Sequence, residues 1–592
     1  MNTNEHRMGP SSSKANPGHG GGVRGSDLPR RSRQFEGTFG RMFRSLPPAL
    51  FKEEDLRKLA APGGMTAEPE AERDDEGKIK RNAEGFILCE ATLENEIDGE
   101  ENFAIPAGYT YLGQFIDHDL TFDPASSLQR QNDPDALVDF RTPRFDLDCI
   151  YGRGPDDQPY MYDETGRLFL LGDELTANGT RVGTRDLPRF SGRALIGDKR
   201  NDENVIVSQL QGVFLRFHNA VANAHPEESF SQVQKRVRWH YQWVVLHDFL
   251  RRIVGEETLY AVLPHLKSGR SIHDDKPRLD FYDWRDDPFI PIEFAMAAYR
   301  FGHSMVRPIY RLSTELDEGS EQDLEHGRKG RFFIFAGAGR ESLAGFGPFP
   351  NTWAIDWRLY FEIDDVLSPE NTLTKGKRRI QPSYKIDTSL VNPLGFLPEF
   401  SKRAKEPPRT LVPDSEGNPT PVSENEISNL ALRNLLRGLR MDLPSGQDVA
   451  RLMSLEPLAD DQIRIGKAQW EDAKDGDKGG IPITEFGDSF RGQAPLWTYV
   501  LAEARHDWLV RALALENPER DADTLPVHLG PVGGRIVAEV FVGLLLGDSH
   551  SFLAQSPAWS PEFYGAKGRF EMPDLIAVAL SGGAQGSEDA AS

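Results

Sequence analysis

The sequence predicts a mainly α protein: one large catalytic body with little β structure. Apolar residues recur at three- and four-residue steps through "NVIVSQLQGVFLRFHNAVANA", where Ile206, Leu210, Val213, Phe214, Phe217 and Val221 make one face. The segments "PIEFAMAAYRFGHSMV" (291–306) and "ISNLALRNLLRGLR" (427–440) also read as helices. Strand signals are short, with "RFFIF" at 331–335 the best of them.

Taken in chain order, residues 1–34 are rich in Gly, Ser and Pro without periodicity, the composition of a flexible arm. Residues 35–100 form an N-terminal extension that includes the charge-dense connector 67–85, "AEPEAERDDEGKIKRNAEG". Residues 101–580 are expected to be the catalytic domain, interrupted by an exposed polar stretch at 405–426, and 581–592 a flexible tail. The balance of 69 Lys and Arg against 92 Asp and Glu gives a net charge of −23. That excludes a general phosphate-binding surface, so neither nucleic acid nor an anionic membrane is the expected partner. Cys89 and Cys149 are the only cysteines and support no disulfide framework. The start lacks the basic, apolar and small-residue blocks of a secretory signal, and the apolar run Ile536 to Gly547 contains Glu539 and is too short for a bilayer. The expectation is a soluble protein, cytoplasmic or exported without a recognisable signal peptide.

Four segments carry ionisable groups where the pattern buries them. In "GQFIDHDL" (113–120), Gln114, Asp117 and His118 share a helical face, while Asp119 points about 100° away. Ionisable groups in such apolar surroundings are costly unless paired, ligated or chemically used. In "TPRFDLD" (142–148), Thr142, Arg144 through its carbonyl, Asp146 and Asp148 offer oxygens suited to Ca²⁺, with Asp119 as a remote fifth ligand. In "GDKRNDEN" (197–204), Glu203 falls in phase with Ile206, Val207 and Leu210, with Arg200 one turn earlier; an ordinary capping region with an Arg–Glu pair would use the same residues. In "FAMAAYRFGHSMVRP" (294–308), Arg300, His303 and Arg307 are expected on one face, and Gly302 leaves room for a flat group beside His303.

Together these segments resemble the animal-type haem peroxidases of the peroxidase–cyclooxygenase superfamily, particularly bacterial, disulfide-free members. The match runs through Gly-Gln-x-x-Asp-His-Asp at 113–119, Thr142 to Gly152, Gly-Asp-x-Arg-x-x-Glu at 197–203, Arg300 to His303, and Asn434 to Arg437. Five motifs keep their order and wide spacing over about 100 to 550. The resemblance implies the haem peroxidase fold and haem b as cofactor. His303 would be the axial ligand, with Asn434 accepting its other ring N–H and Arg300 and Arg437 beside the cofactor. His118 would move the peroxide proton, Gln114 would stand beside it, and Arg200 would stabilise charge as the O–O bond breaks, leaving a ferryl intermediate. Asp117 and Glu203 would be ester-linked to haem, and Asp119, Thr142, Arg144, Asp146 and Asp148 would hold Ca²⁺.

The implied function is reduction of hydrogen peroxide with oxidation of small donors, namely iodide, bromide, thiocyanate or phenols. Asn204 stands where a sulfonium-forming Met occurs in myeloperoxidase, which argues against chloride. Two alternatives are a fatty-acid dioxygenase of cyclooxygenase type and a non-catalytic haem- or calcium-binding adhesion module. The dioxygenase needs Tyr three residues before the proximal histidine, and position 300 is Arg; the His118 and Arg200 pair argues against the adhesion module.

Overall fold

Two buried helices position the site, α1 (Gly108–Leu120) and α2 (Val205–Ala224). Helix α2 starts where Asn204 turns its side-chain oxygen onto the N–H groups of Ile206 and Val207, satisfying two donors that no earlier turn could. The face read from the sequence is its core face. Phe214 stacks on Phe115 of α1 with ring centroids 4.4 Å apart and planes within 3°. Burial of one such ring contributes roughly 1.5–3 kcal/mol.

The described residues of this computed structural model are 37–66, 100–122, 138–139, 141–177, 180–285, 288–313, 331–335, 342–363, 380–395, 428–470, 479–563 and 569–581, with 74, 78, 80, 81 and 397 as single positions. The arm expected over 1–34, most of the connector 67–85, the stretch 405–426, the tail after Ser581 and Cys89 lie outside them. Cys149 is buried.

Behind α2 come α3 (Phe230–Val244) and α4 (Arg251–Val262), joined by a π-helical turn at Val245–Leu250. The later helices are α5 (Leu430–Arg440), α6 (Leu496–Leu513), α7 (Pro531–Gly547) and α8 (Met572–Ser581). Helix α7 is the apolar run noted in the sequence. Its Glu539 is fully buried because the carboxylate accepts the N–H groups of Asp280, Phe281 and Tyr282 and pairs with Arg535. Helix α8 packs on α2, where Arg216 donates to the carbonyls of Ala579 and Leu580.

The mainly α class holds, since no described strand exceeds six residues. Strand Gly37–Gly40 lies between Val138–Asp139, antiparallel, and Ile290–Pro291, parallel. "RFFIF" supplies Arg331–Phe333, antiparallel to Ile309–Arg311. Among the described residues, no helix is long and apolar enough to cross a membrane.

Two local expectations are corrected. The segment 291–306 is not one helix: an α turn at Ile292–Ala295 gives way to a 3-10 helix at Ala298–His303, because Ala297 leaves helical geometry (φ −136°, ψ −76°). Arg307 follows that helix and pairs with buried Glu101 at 2.8 Å, so it does not share a face with Arg300 and His303. Glu203 likewise is not on α2. It ends a 3-10 helix, Lys199–Asp202, one residue before the Asn204 cap.

Candidate active site

A cavity of about 700 Å³ opens between α1, the Lys199–Asp202 segment and the Ala298–His303 helix. Gln114, Asp117, His118, Glu203, Arg300 and His303 all line it. Three segments as far apart in the chain as His118 and His303 thus bring their chemistry to one cavity. Asp119, on the other face of α1, is excluded from it, as the helical phase requires.

His118 is buried, and its Nδ1 lies 2.6 Å from Asn201 Oδ1. The Asn201 amide nitrogen donates to Gln211 Oε1 at 2.8 Å, which fixes the amide with its oxygen toward the ring. An oxygen there makes Nδ1 the protonated nitrogen and leaves Nε2 as the base. Burial, reinforced by the Arg200 charge, lowers the His118 pKa to about 3, so the ring is neutral. Asn201 was not assigned a role from the sequence. It lies inside the third motif, but only the fold reveals that a 3-10 turn aims it at His118.

Arg200 is placed differently from the expectation. Its guanidinium is held by Asp198 (Nη2 to Oδ2, 2.8 Å), donates to the His118 carbonyl at 3.0 Å and lies over the Phe122 ring at 4.7 Å. It is not part of the described cavity wall, whereas its neighbour Lys199 is. The reason is charge: Arg200 and Arg141 together hold the Asp198 carboxyl well below its ordinary range.

His303 also lines the cavity, and burial followed by the Arg300 charge lowers its pKa to about 3. Asn434 on α5 meets His303 Nδ1 at 2.8 Å, but through its amide nitrogen. Its oxygen is taken by Arg300 Nη1, a group that can only donate, at 3.0 Å. The expectation that Asn434 accepts from this ring is therefore corrected for this state: Nδ1 accepts and Nε2 carries the proton. Arg437 stands in the last turn of α5, outside the described cavity wall. A Cβ added at Gly302 would meet nothing within 4 Å, so space for a flat group beside His303 is present.

The two carboxyls expected to meet a cofactor both face this space. Burial raises the Asp117 pKa, and Thr121 Oγ1 donates to it at 3.1 Å. Glu203 Oε1 accepts from the Gln114 amide, whose oxygen in turn accepts from Asn204 Nδ2 at 3.2 Å.

On the far face of α1, ligand atoms of Asp119, Asp146 and Asp148 lie within 4.8 Å of one another. Thr142 Oγ1 donates to Asp146 Oδ2 at 2.7 Å. Asp119 Oδ1 is buried without a hydrogen-bond partner, the mark of a site whose charge is to be met by something else. Burial, then the Asp146 charge, raises the Asp119 pKa to about 7. The donor set, oxygens only, suits a hard cation such as Ca²⁺. Arg144 directs its guanidinium toward Asp548, 3.8 Å away.

Residues 131–333 match the family described as animal haem peroxidase, a span containing the Thr142, Gly197 and Arg300 motifs. Over that span the chain is similar to animal haem peroxidases. Similar proteins include a peroxidase-like protein of Margaritifera margaritifera, 24% identical over 34% of this chain and 32% of its own. Thyroid peroxidase of Canis lupus familiaris is 30% identical over 22% of this chain and 13% of its own. The matches thus span a third or less of these relatives. Among solved structures, peroxidase A of Dictyostelium discoideum has a TM-score of 0.45 at 14% identity, covering 88% of this chain and 94% of that one. A fatty acid alpha-dioxygenase of Arabidopsis thaliana has the same score at 13% identity, covering 93% and 76%. Such loose likenesses do not distinguish the two activities.

Proposed function

We propose that the chain is a haem peroxidase that reduces hydrogen peroxide and oxidises small donors such as iodide, bromide, thiocyanate or phenols. One observation carries the reading: two neutral imidazoles, buried His118 and half-buried His303, each held at Nδ1 by an asparagine, line one cavity together with two carboxyls. Haem b bound there supplies an iron that binds peroxide and accepts the oxidising equivalents of its cleavage.

His303 would hold that iron through Nε2. This requires its proton on Nδ1, so the Asn434 amide turns its oxygen to the ring, and Arg300 gives that oxygen up. His118 Nε2 takes the proton of the incoming peroxide and returns it to the departing oxygen, which leaves as water. Gln114 orients groups between His118 and Glu203. Arg200, rotated from Asp198 toward the cavity, offsets the negative charge that grows on the departing oxygen. Asp117 and Glu203, which both line the cavity, would be the carboxyls esterified to the cofactor. Asp119, Thr142, Asp146, Asp148 and the Arg144 carbonyl would hold Ca²⁺.

Haem reconstitution tests the reading. A Soret band that changes form in His303→Ala is expected, as is a His118→Ala protein that keeps the band but reacts with peroxide about 10²–10⁴-fold more slowly. A spectrum indifferent to residue 303 ends the proposal. Extraction with acid-acetone reports the esters: pigment remains on the wild-type polypeptide and is progressively lost in Asp117→Ala and Glu203→Ala.

A further inference from the structure

Three tyrosines line the cavity, Tyr109, Tyr111 and Tyr299, and their hydroxyls have different fates. Tyr299 donates to the Gly113 carbonyl at 3.1 Å, an oxygen that cannot keep a proton. The Tyr111 hydroxyl has no carboxylate or imidazole at hydrogen-bond distance among the described residues. Tyr109 is different. Its hydroxyl lies 2.9 Å from both oxygens of Asp248, which is buried in the π-helical turn between α3 and α4. Such turns interrupt α-helices at a stability cost and occur often at functional sites. Here the turn carries the carboxyl that meets the phenol of α1.

Asp248 is also braced, accepting from Arg252 Nε at 2.7 Å and from the Met572 N–H of α8 at 2.8 Å. The Arg252 guanidinium lies over the Tyr109 ring, 4.7 Å from its centroid. A cation in that position makes the ring harder to oxidise, so its radical, once formed, is a stronger oxidant. Burial and then the Asp248 charge raise the Tyr109 pKa well above its ordinary value, which keeps the phenol protonated. Its electron therefore cannot leave without the proton also finding a place.

We propose that Tyr109 is a redox-active residue that gives one electron to the oxidant peroxide generates in this cavity and passes its phenolic proton to Asp248. The inference rests on the peroxidase reading for that oxidant. Peroxide cleavage releases one water and leaves two oxidising equivalents in the cavity, and the Tyr109 electron would meet one of them. The phenolic O–H bond breaks, a new O–H bond forms on Asp248, and a neutral phenoxyl remains on Tyr109. A phenol-class donor then returns one electron to Tyr109 while the proton goes back from Asp248 to the phenolic oxygen. The donor's own proton leaves to solvent.

The test is freeze-quenched electron paramagnetic resonance of the haem-loaded protein after one equivalent of peroxide. Wild type is expected to show a tyrosyl signal that Tyr109→Phe abolishes and that Tyr111→Phe and Tyr299→Phe leave in place. Asp248→Asn, which keeps a hydrogen-bond acceptor but not a base, should slow appearance of the signal about 10²-fold. Tyr109→Phe keeps the ring and its packing, so it serves where Asp248→Asn does not fold. A normal Soret band and peroxide reaction with an unchanged radical in Tyr109→Phe overturns this inference alone. Failure to form any Soret band overturns the peroxidase reading and this inference with it.

Discussion

At the scale of single residues, burial denies protons to both histidines of the cavity. His118 and His303 are both lowered to about 3, with burial the larger cause and an arginine the second for each. For His118 this means the base remains available far below the ordinary imidazole value of about 6.5. The rate of the peroxide reaction is therefore expected to stay level from pH 8 to pH 5, and an acid limb near 6.5 in a stopped-flow pH profile would contradict it. Asn201 sets which nitrogen is the base. Asn201→Leu removes the acceptor at Nδ1 and should slow the reaction about 10²-fold with the Soret band retained. The sequence showed His118 and Arg200 through their motifs, whereas Asn201 had no signal of its own. Its part depends on Gln211, on a different element, holding the amide the right way round. The Arg300 hold on the Asn434 oxygen was invisible for the same reason: a competition between two partners for one amide exists only once three segments meet.

At the scale of elements, α1 matters most, since one face carries Gln114, Asp117 and His118 and the other Asp119. Its start is fixed by close approach. A Cβ at Gly108 would lie 2.3 Å from the Phe361 ring and 2.6 Å from the Tyr360 carbonyl, which already accepts the Gly108 N–H. Gly108→Ala is expected to cost about 1–3 kcal/mol in denaturant unfolding, through overpacking. Tyr109 and the catalytic face would move with it, so the peroxide rate should fall as well; an unchanged stability would show that the helix start can shift freely. Helices such as α2 and α5 were legible because their apolar period holds over about three turns or more. The proximal segment was not, because steps of three suit an α-helix and a 3-10 helix alike, and Arg300 and His303 keep the same spacing in both. The break at Ala297 and the departure of Arg307 to Glu101 come from tertiary pairing that no local period encodes.

At the scale of the whole molecule, the acidic cluster and the catalytic face are mechanically joined. Asp119 and His118 are adjacent on α1, and Arg141 bridges Asp148 at 3.2 Å to Asp198, the carboxylate that holds Arg200. In the absence of a cation, Asp119 is raised from 3.8 to about 7. A carboxyl raised on folding adds stability below its unfolded pKa and loses it as pH rises through the folded one, here between about 4 and 7. A bound cation reverses the sign, because it favours the ionised group. Calcium should therefore stabilise the fold at pH 8, by about 2.7 kcal/mol at 100 times its Kd, and progressively less toward pH 5, where a proton occupies Asp119. Thermal unfolding with calcium and with chelator at both pH values measures this, and an increment independent of pH would exclude Asp119 as the coupled group. The bridge adds a second expectation. A cation on Asp148 competes with Arg141, leaving that arginine to Asp198 and loosening the hold on Arg200, so chelation at pH 8 should slow the peroxide reaction before it unfolds the protein.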